Sequence, residues 1–219
     1  TDYLDEAGKP VVDEKIVDAV SQADRIYIFA AGTSYHAGLV GKEIFEKFTG
    51  IPTEVGYASE AGYHFPMMSK HPFFIFLTQS GETADSRVVL TEANKRGIPS
   101  LTMTNVEGST LSREATYTML LNAGPEIAVA STKAYTAQVA LQAILAKAVG
   151  EKLGDQAAKD WNLKQGLSLA AEGIQEIVDG KEKIEELAKK YLVPSRNAFY
   201  IGRGIDHAVA MEAALKLKE

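Results

Sequence analysis

Short apolar runs alternate along this chain with longer segments in which apolar residues recur every three or four positions. The short runs are rich in β-branched and aromatic residues, and several are apolar throughout, which is typical of strands covered on both faces. They predict six strands: Arg25 to Ala30, Thr53 to Tyr57, Phe73 to Leu77, Ser100 to Thr104, Thr116 to Leu120 and Ala198 to Ile201.

The longer segments predict helices, because their apolar spacing matches one face of an α-helix. The clearest are His36 to Phe48, Ala84 to Arg96, Thr132 to Val149 and a last helix from Asp206. Strands followed in turn by helices favour an α/β fold, here a three-layer sandwich in which a mainly parallel sheet is flanked by helices. The charged stretch from Glu151 to Lys190 contains no strand signal, so we expect a helical insert at about 151–190 within a single domain that spans 1–219.

Composition and charge exclude several classes of protein. With 46% apolar and 24% charged residues among 219, the chain is typical of a globular protein and not of a disordered one. The net charge of -6 and the lack of any basic block argue against nucleic acid and anionic membranes as main partners. Cysteine is absent, which excludes disulfides and thiol nucleophiles and is compatible with a reducing cytoplasm.

Nothing in the sequence predicts a membrane span, a signal peptide or a metal site. No apolar run approaches the roughly 20 residues that a spanning helix needs, and the first residues are acidic. The four His show no metal-ligand spacing. The chain begins without Met and stops inside a helical pattern at Leu215 to Glu219, so we expect a cytoplasmic piece of a longer protein.

Three turns that lead into helices carry the most promising chemistry. They are small and rich in hydroxyl groups: Ala31 to Ser34 after the first strand, Thr78 to Thr83 after the third, and Ala130 to Lys133 at the start of the long helix. Ligands of open α/β sheets bind beyond the carboxyl ends of the strands, and helix N-termini with neighbouring hydroxyls can bind an oxygen anion. A phosphate monoester fits such a site, whereas the glycine spacing of dinucleotide and nucleoside triphosphate loops is absent.

Each of these hydroxyls also has a simpler explanation. Ser34, Ser80, Thr83 and Ser131 are all compatible with ordinary helix N-caps, since Ser and Thr are favoured at that position. The shared character of the three turns argues for a binding site, and from the residues alone both interpretations stay open.

The last helix carries three charged residues on one face. Glu212, Lys216 and Glu219 are spaced by four and then three positions. From spacing alone an exposed ladder of ion pairs is favoured, because charged stripes usually face water. The alternative is a carboxylate that moves a proton on a ligand, beside a cation that holds a ligand hydroxyl or adjusts the pKa of the carboxylate.

Taken together, these segments resemble the sugar isomerase (SIS) domain of the glutamine:fructose-6-phosphate aminotransferase family. The similarity rests on Gly32-Thr33-Ser34-Tyr35, Gln79-Ser80-Gly81-Glu82-Thr83, Val129-Ala130-Ser131-Thr132-Lys133 and Glu212 with Ala214 to Glu219. It implies a five-stranded parallel sheet and a site for fructose 6-phosphate or glucosamine 6-phosphate, with no metal, nucleotide or redox cofactor. Family members make glucosamine 6-phosphate from fructose 6-phosphate and ammonia released from glutamine.

The resemblance also implies a role for individual residues. The expected phosphate cradle consists of Ser34, Gln79, Ser80 and Thr83, with Thr33 beside them and with Thr78 where many relatives have Ser. Contacts to the sugar are expected from Val129 and Ser131. Glu219 matches the base that moves a proton between C1 and C2 of the sugar, and Lys216 matches its supporting cation.

Parts of the family enzyme have no counterpart in this sequence. In the family a glutaminase domain with an N-terminal Cys releases the ammonia. A second isomerase half supplies a His to the sugar of the neighbouring subunit and a Lys that forms a Schiff base. We therefore expect a homodimer, and a chain that binds sugar phosphate weakly but does not convert it by itself. A sensor module that binds phosphosugars without catalysis, and a related phosphosugar isomerase or deglycase, stay open as alternatives.

Overall fold

Five strands form one sheet in the computed structural model, which describes residues 3–65, 67–127 and 130–219. The strands are β1 (Arg25–Ala30), β2 (Thr53–Tyr57), β3 (Pro72–Leu77), β4 (Ser100–Thr104) and β5 (Tyr117–Leu120). Their order is β2-β1-β3-β4-β5, and every neighbouring pair is parallel. The predicted parallel α/β sheet is confirmed, with five of the six predicted strands.

Helices connect the strands and continue after the last of them. Those around the sheet are α1 (Glu14–Ser21), α2 (Thr33–Thr49), α3 (Ala58–Ala61), α4 (Ala84–Lys95), α5 (Thr110–Glu114) and α6 (Lys133–Leu153). They are followed by α7 (Gln156–Asp160), α8 (Leu163–Asp179), α9 (Lys181–Leu187) with a π-helical turn at Ala188–Leu192, and α10 (Ile205–Lys218). Helices thus occupy most of the stretch predicted as a helical insert, while the extent of the domain, 1–219, stays a prediction.

The sheet is covered on both faces, which explains why β1 and β3 are almost entirely apolar. Along β1, Ile26 and Ile28 belong to one core with residues of α1, α2 and α6, whereas Tyr27 and Phe29 belong to a second core with α3, α4 and α5. All four side chains are buried. Because successive side chains of a strand point to opposite faces, a strand between two helical layers buries all its side chains, and the buried Ser100, Thr102 and Thr104 of β4 are small hydroxyl residues.

The register of the sheet brings two of the hydroxyl-rich turns together. β1 and β3 are adjacent, and Phe29 pairs with Phe76 near their carboxyl ends. Both strands therefore end at the same edge, where the chain continues into α2 at Thr33 and into α4 at Ala84. This is the edge at which sheets of this kind bind ligands.

The predicted strand from Ala198 to Ile201 is wrong. The segment is irregular, and no strand of the described residues pairs with it. Phe199 and Ile201 are 90% and 93% exposed. An apolar run becomes a strand only where a neighbouring strand takes its backbone hydrogen bonds, and the local sequence pattern does not show whether such a neighbour exists.

The segment before α10 nevertheless repeats the geometry of the segment before α2. Gly204 precedes α10 with φ 55° and ψ -131°, and Gly32 precedes α2 with φ 54° and ψ -131°. These dihedral angles are open to glycine and strained for other residues. An apolar run comes before the glycine in both places, at 26–30 and at 198–201. Residues 198–218 thus resemble the β1-turn-α2 unit in sequence pattern and in the glycine before the helix, although residues 198–201 form no strand.

The helices after α6 expose much of their surface. Trp161 stacks on Phe48 of α2, with 4.1 Å between the ring centroids, and this contact attaches the segment between α7 and α8 to the body. Apolar side chains farther along are exposed, among them Ile177 and Leu187. None of the helices within the described ranges is both long and apolar enough to span a membrane.

Candidate functional site

The hydroxyl-rich turns surround one cavity at the carboxyl edge of the sheet. Its volume is about 230 Å³. The lining residues are Ala31, Thr33, Ser34, Leu77, Thr78, Gln79, Ser80, Thr83, Ser131 and Glu219. They come from the turns after β1 and β3, from the start of α6 and from the end of α10, so segments far apart in sequence converge on one place.

Most of the predicted site residues lie at this cavity. All the residues expected for the phosphate cradle line it, and so do Ser131 and Glu219. Lys216 lies outside the lining, but its ammonium group contacts the Glu219 carboxylate. Val129 lies outside the described residues. The structure therefore brings together most of the residues that the sequence predicts from three separate turns and the last helix.

The serines and threonines of the cavity make no side-chain capping hydrogen bonds, although Thr83 lies at the N-cap position that was considered for it. Gly32, Thr83 and Thr132 occupy the N-cap positions of α2, α4 and α6, and none of them makes a side-chain capping hydrogen bond. Ser34 lies within the first turn of α2, and Ser131 comes before the cap of α6. The N-cap interpretation is wrong for both serines. The first amides of a helix lack partners within the helix, so donors are left for an anion here.

The turn between β3 and α4 is held by its own side chains. The Thr78 hydroxyl oxygen accepts a hydrogen bond from the Gly81 amide over 3.1 Å and lies 3.0 Å from the Thr83 hydroxyl oxygen. The Ser80 hydroxyl oxygen accepts from the Glu82 amide over 3.2 Å. Since a hydroxyl has one proton besides its acceptor sites, the proton of Ser80 stays available to a ligand.

Residues after β4 support the same turn from outside. The Leu111 amide donates to the Gly81 carbonyl over 2.9 Å, and the Thr110 amide donates to the Glu82 carboxylate over 2.8 Å. Hydrogen bonding from Thr110 also lowers the pKa of Glu82 below its usual range. These contacts order the turn before any ligand is present, which reduces the entropy lost on binding.

Ser34 is oriented by a buried glutamine. Gln138 on α6 is 1% exposed, and its side-chain nitrogen donates a hydrogen bond to the Ser34 hydroxyl oxygen over 2.9 Å. A hydroxyl that already accepts a hydrogen bond keeps its own proton for another partner. The arrangement therefore prepares Ser34 to donate into the cavity, as an oxygen anion requires.

The last helix reaches the cavity with one carboxylate and buries another. Glu219 lines the cavity, whereas Glu212 is buried against α2. The Nδ1 atom of His36 lies 2.7 Å from Glu212 Oε2, and Thr33 Oγ1 donates to Glu212 Oε1 over 3.1 Å. The exposed ladder of ion pairs favoured from spacing is therefore wrong, because only part of the charged face of α10 meets water.

The cavity offers neutral donors and not cations to a ligand. Among the described residues that line it, none is Lys or Arg. The nearby Lys216 is paired with Glu219 and lies 3.6 Å from Glu212. An anion would thus be held by hydroxyl, side-chain amide and backbone N–H groups. The Tyr135 phenol on α6 is affected by the Glu212 carboxylate, because burial, and less strongly this carboxylate, raises the pKa of the phenol above its usual value.

His36 and Gln138 belong to this site, although the sequence did not predict either of them there. Each is a polar residue at a buried position of an otherwise apolar helix face, next to residues such as Val40 on α2 and Leu141 on α6. Buried polar groups need a partner. A polar residue within an apolar helix face was therefore the signal in the sequence by which these two residues could have been found.

A larger hollow lies between α3 and α4, away from these residues. Its volume is about 620 Å³. Of its arginines, Arg87 is bonded to Glu114 and Arg96 to Glu92, at 2.7 Å and 2.8 Å. Its charged groups therefore already have partners, and size alone does not make it a ligand site.

Comparison with known sequences agrees with this geometry. Residues 19–148 match the family model described as "SIS domain". Over 99% of its length the chain is 61% identical to glutamine–fructose-6-phosphate aminotransferase [isomerizing] of Lactiplantibacillus plantarum and 62% identical to that of Streptococcus pyogenes serotype M1. The chain spans 36% of the length of these relatives.

Solved structures show the same arrangement of sheet and helices. The C-terminal domain of glucosamine-fructose-6-phosphate aminotransferase from Francisella tularensis has a TM-score of 0.87 and 31% identity, over 100% of this chain and 61% of its own. Glucosamine-6-phosphate deaminase from Thermotoga maritima, at 18% identity and a TM-score of 0.66 over 93% of this chain and 60% of its own, shows the fold alone. Since the family model matches more than half of the 219 residues, this chain belongs to the SIS domain family.

Proposed function

We propose that this chain is the sugar-phosphate-binding isomerase half of an enzyme that makes glucosamine 6-phosphate from fructose 6-phosphate and glutamine-derived ammonia. The observation that carries the proposal is the cavity in which hydroxyl groups from two neighbouring turns converge and which the Glu219 carboxylate also lines. The similar proteins of Lactiplantibacillus plantarum and Streptococcus pyogenes are glutamine–fructose-6-phosphate aminotransferases, which supports the same substrate class.

The phosphate group is proposed to bind between the first turns of α2 and α4. Ser34, Ser80 and Thr83 supply hydroxyl donors, and the two helix N-termini add backbone donors and a favourable dipole. Gln79, Thr33 and Thr78 complete the cradle. Phosphate oxygens accept several hydrogen bonds at once, so a ring of neutral donors suits a phosphate better than a neutral sugar.

The sugar is proposed to extend from the phosphate toward α6 and α10. Ser131 lines that side of the cavity, and Val129 stays a predicted sugar contact. Glu219 moves a proton between C1 and C2, and Lys216, which contacts it, holds a substrate hydroxyl or stabilises the negative charge of the carboxylate. The reaction proposed here needs no metal or redox cofactor.

We also propose that the chain acts as part of a longer enzyme in the cytoplasm. A second isomerase half would contact the exposed run at Phe199 and Ile201, since this run has the form of a strand without a neighbour and the relatives are much longer. A glutaminase domain would supply the ammonia, and a homodimer would let a neighbouring subunit complete the site. The chain alone is expected to bind sugar phosphate without converting it.

Glutamine-dependent formation of glucosamine 6-phosphate by the full-length protein that contains this chain is the experiment that tests the proposal. Formation of the product supports it. A protein that binds the phosphosugar but forms no product would favour a sensor module. Product formed from fructose 6-phosphate and free ammonia, without use of glutamine, would favour a related isomerase or deglycase.

Ser80→Ala is expected to weaken the binding of glucosamine 6-phosphate by about 10- to 100-fold, because a hydrogen bond to a charged group contributes about 1.5–3 kcal/mol. Titration calorimetry with glucosamine 6-phosphate and with glucosamine, which lacks the phosphate, measures the effect. Ser168→Ala, at an exposed position of α8, is the control and should bind as the wild type does. Equal affinities of the two variants would contradict the assignment of the cradle.

Gln138→Met is expected to weaken the same binding by about three- to tenfold, since one neutral hydrogen bond of about 0.5–1.5 kcal/mol no longer orients Ser34. The effect should vanish in a Ser34→Ala background, because the glutamine acts through that hydroxyl. Calorimetry on the four proteins of this double-mutant cycle measures the coupling. Losses that simply add would show that Gln138 does not act through Ser34.

A further inference from the structure

Helix α10 buries a carboxylate while it exposes apolar residues. Glu212 is 6% exposed, whereas Ile205, Val209 and Leu217 on the same helix are 42%, 47% and 51% exposed. A helix of a globular protein normally packs through its apolar face. The buried residues of α10 are Ala208 and Glu212, so a charged side chain is one of its two buried contacts among the described residues.

The hydrogen-bond partners of this carboxylate on α2 lie in the first turn of that helix. Glu212 Oε2 lies 2.7 Å from His36 Nδ1, and Glu212 Oε1 accepts a hydrogen bond from Thr33 Oγ1 over 3.1 Å. The side chains of His36 and Glu212 are 9% and 7% exposed. A buried carboxylate is tolerated only where hydrogen bonds and opposite charge compensate for its lost hydration, so these contacts specify one seating of α10 on α2.

The same carboxylate is connected to the proposed base. Glu212 Oε1 lies 3.6 Å from the Lys216 ammonium group one turn further along α10, and Lys216 contacts the Glu219 carboxylate. Polar contacts thus run without a break from the first turn of α2, which carries Ser34 of the cradle, to Glu219.

We propose that Glu212 is a positioning residue, which seats α10 on the first turn of α2 and so sets the distance between the phosphate cradle and the Glu219 carboxylate. This inference rests on the proposed function. Glu212 itself does not line the cavity and acts through Lys216 and Glu219. Proton transfer depends steeply on distance, and a misplacement of about 1 Å lowers a rate by about 10²-fold. Of the cradle residues, Thr33 contacts Glu212, whereas those of the turn between β3 and α4 are held by hydrogen bonds within that turn.

The test is Glu212→Leu in the full-length protein that contains this chain. Leucine fills a similar space but accepts no hydrogen bond from His36 or Thr33. The expected result is a kcat for glucosamine 6-phosphate formation lowered by about 10²-fold, with a KM for fructose 6-phosphate changed by less than about threefold. Glu43→Leu, at an exposed position of α2, is the matched control and should leave both constants unchanged.

Glu212→Gln distinguishes positioning from simple packing. Glutamine keeps an oxygen for Thr33 and a polar group for His36, so it should restore most of the kcat that leucine loses. Should the Glu212→Leu variant not fold, His36→Leu replaces it, because leucine has a carbon where the Nδ1 atom of His36 contacts Glu212, and it should lower kcat by about tenfold at unchanged KM.

Three results would overturn the proposal. A leucine variant with wild-type kcat and only a lower melting temperature would make Glu212 a structural residue. A rise in KM without loss of kcat would mean that α10 acts on binding and not on proton transfer. A wild-type protein that forms no glucosamine 6-phosphate would overturn the proposed function itself, and this inference with it.

Discussion

Glu219→Gln in the full-length protein should lower the formation of glucosamine 6-phosphate by about 10²- to 10⁴-fold, which is the usual contribution of a general base or acid. The substitution keeps the size of the side chain and its reach into the cavity, but an amide does not take up a proton at neutral pH. The phosphate cradle lies on other elements, so binding of the sugar phosphate should change little.

The measurement follows both the product and the proton. Fructose 6-phosphate labelled with deuterium at C1 should transfer or release the label with the wild type and keep it with the variant, while calorimetry confirms binding. Glu182→Gln at an exposed position of α9 serves as the control and should retain full activity. A Glu219→Gln protein with wild-type turnover would remove Glu219 from the mechanism.

Gly81→Ala should destabilise the protein by about 2–4 kcal/mol and abolish sugar phosphate binding. Gly81 has a φ of 69°, which is unfavourable for alanine, and a Cβ atom there would lie 1.9 Å from the Ser109 hydroxyl oxygen and 2.4 Å from its Cβ. Ser109 cannot avoid this clash, because its side chain is short and it is buried. The turn between β3 and α4 must therefore shift. That shift displaces Ser80 and Thr83 from the cradle.

Gly97→Ala separates the effect of the positive φ angle from the effect of the clash with Ser109. Gly97 has a φ of 67°, almost the same as Gly81, but nothing lies within 4 Å of its added Cβ atom. Its substitution should cost only the backbone strain of about 1–2 kcal/mol, and sugar phosphate binding should be unaffected. Thermal unfolding gives the two stabilities, and equal losses at both positions would show that the contact with Ser109 does not matter.

Patterns along short stretches of chain were sufficient to predict the sheet and most of the cavity. β1 and β3 are apolar because helices cover both faces of the sheet, and the hydroxyl-rich turns meet because these two strands are neighbours in a parallel sheet. Both conclusions depend on residues within a few positions of one another and on general rules for α/β sheets. The positions of Ser34, Ser80 and Thr83 at one cavity follow from these rules.

Side-chain contacts between distant parts of the chain could not be predicted from the sequence. Glu212 lies 176 positions after His36, and Gln138 lies 104 positions after Ser34. Nothing local shows that a charge on one helix meets an imidazole on another, so spacing on α10 alone led to an exposed ladder. The prediction of a strand at 198–201 was wrong for a related reason. Whether a neighbouring strand pairs with this segment is not determined by the composition of the segment itself.

The unpaired segment at 198–201 has a practical consequence for the chain when it is expressed alone. Exposed β-prone residues such as Phe199 and Ile201 can pair between molecules, which makes the isolated chain prone to aggregate. Arg196 and Arg203 flank the segment and act as gatekeepers, because stacking copies of it would bring like charges together. Low ionic strength should therefore keep the isolated chain dispersed better than high salt, which screens that repulsion.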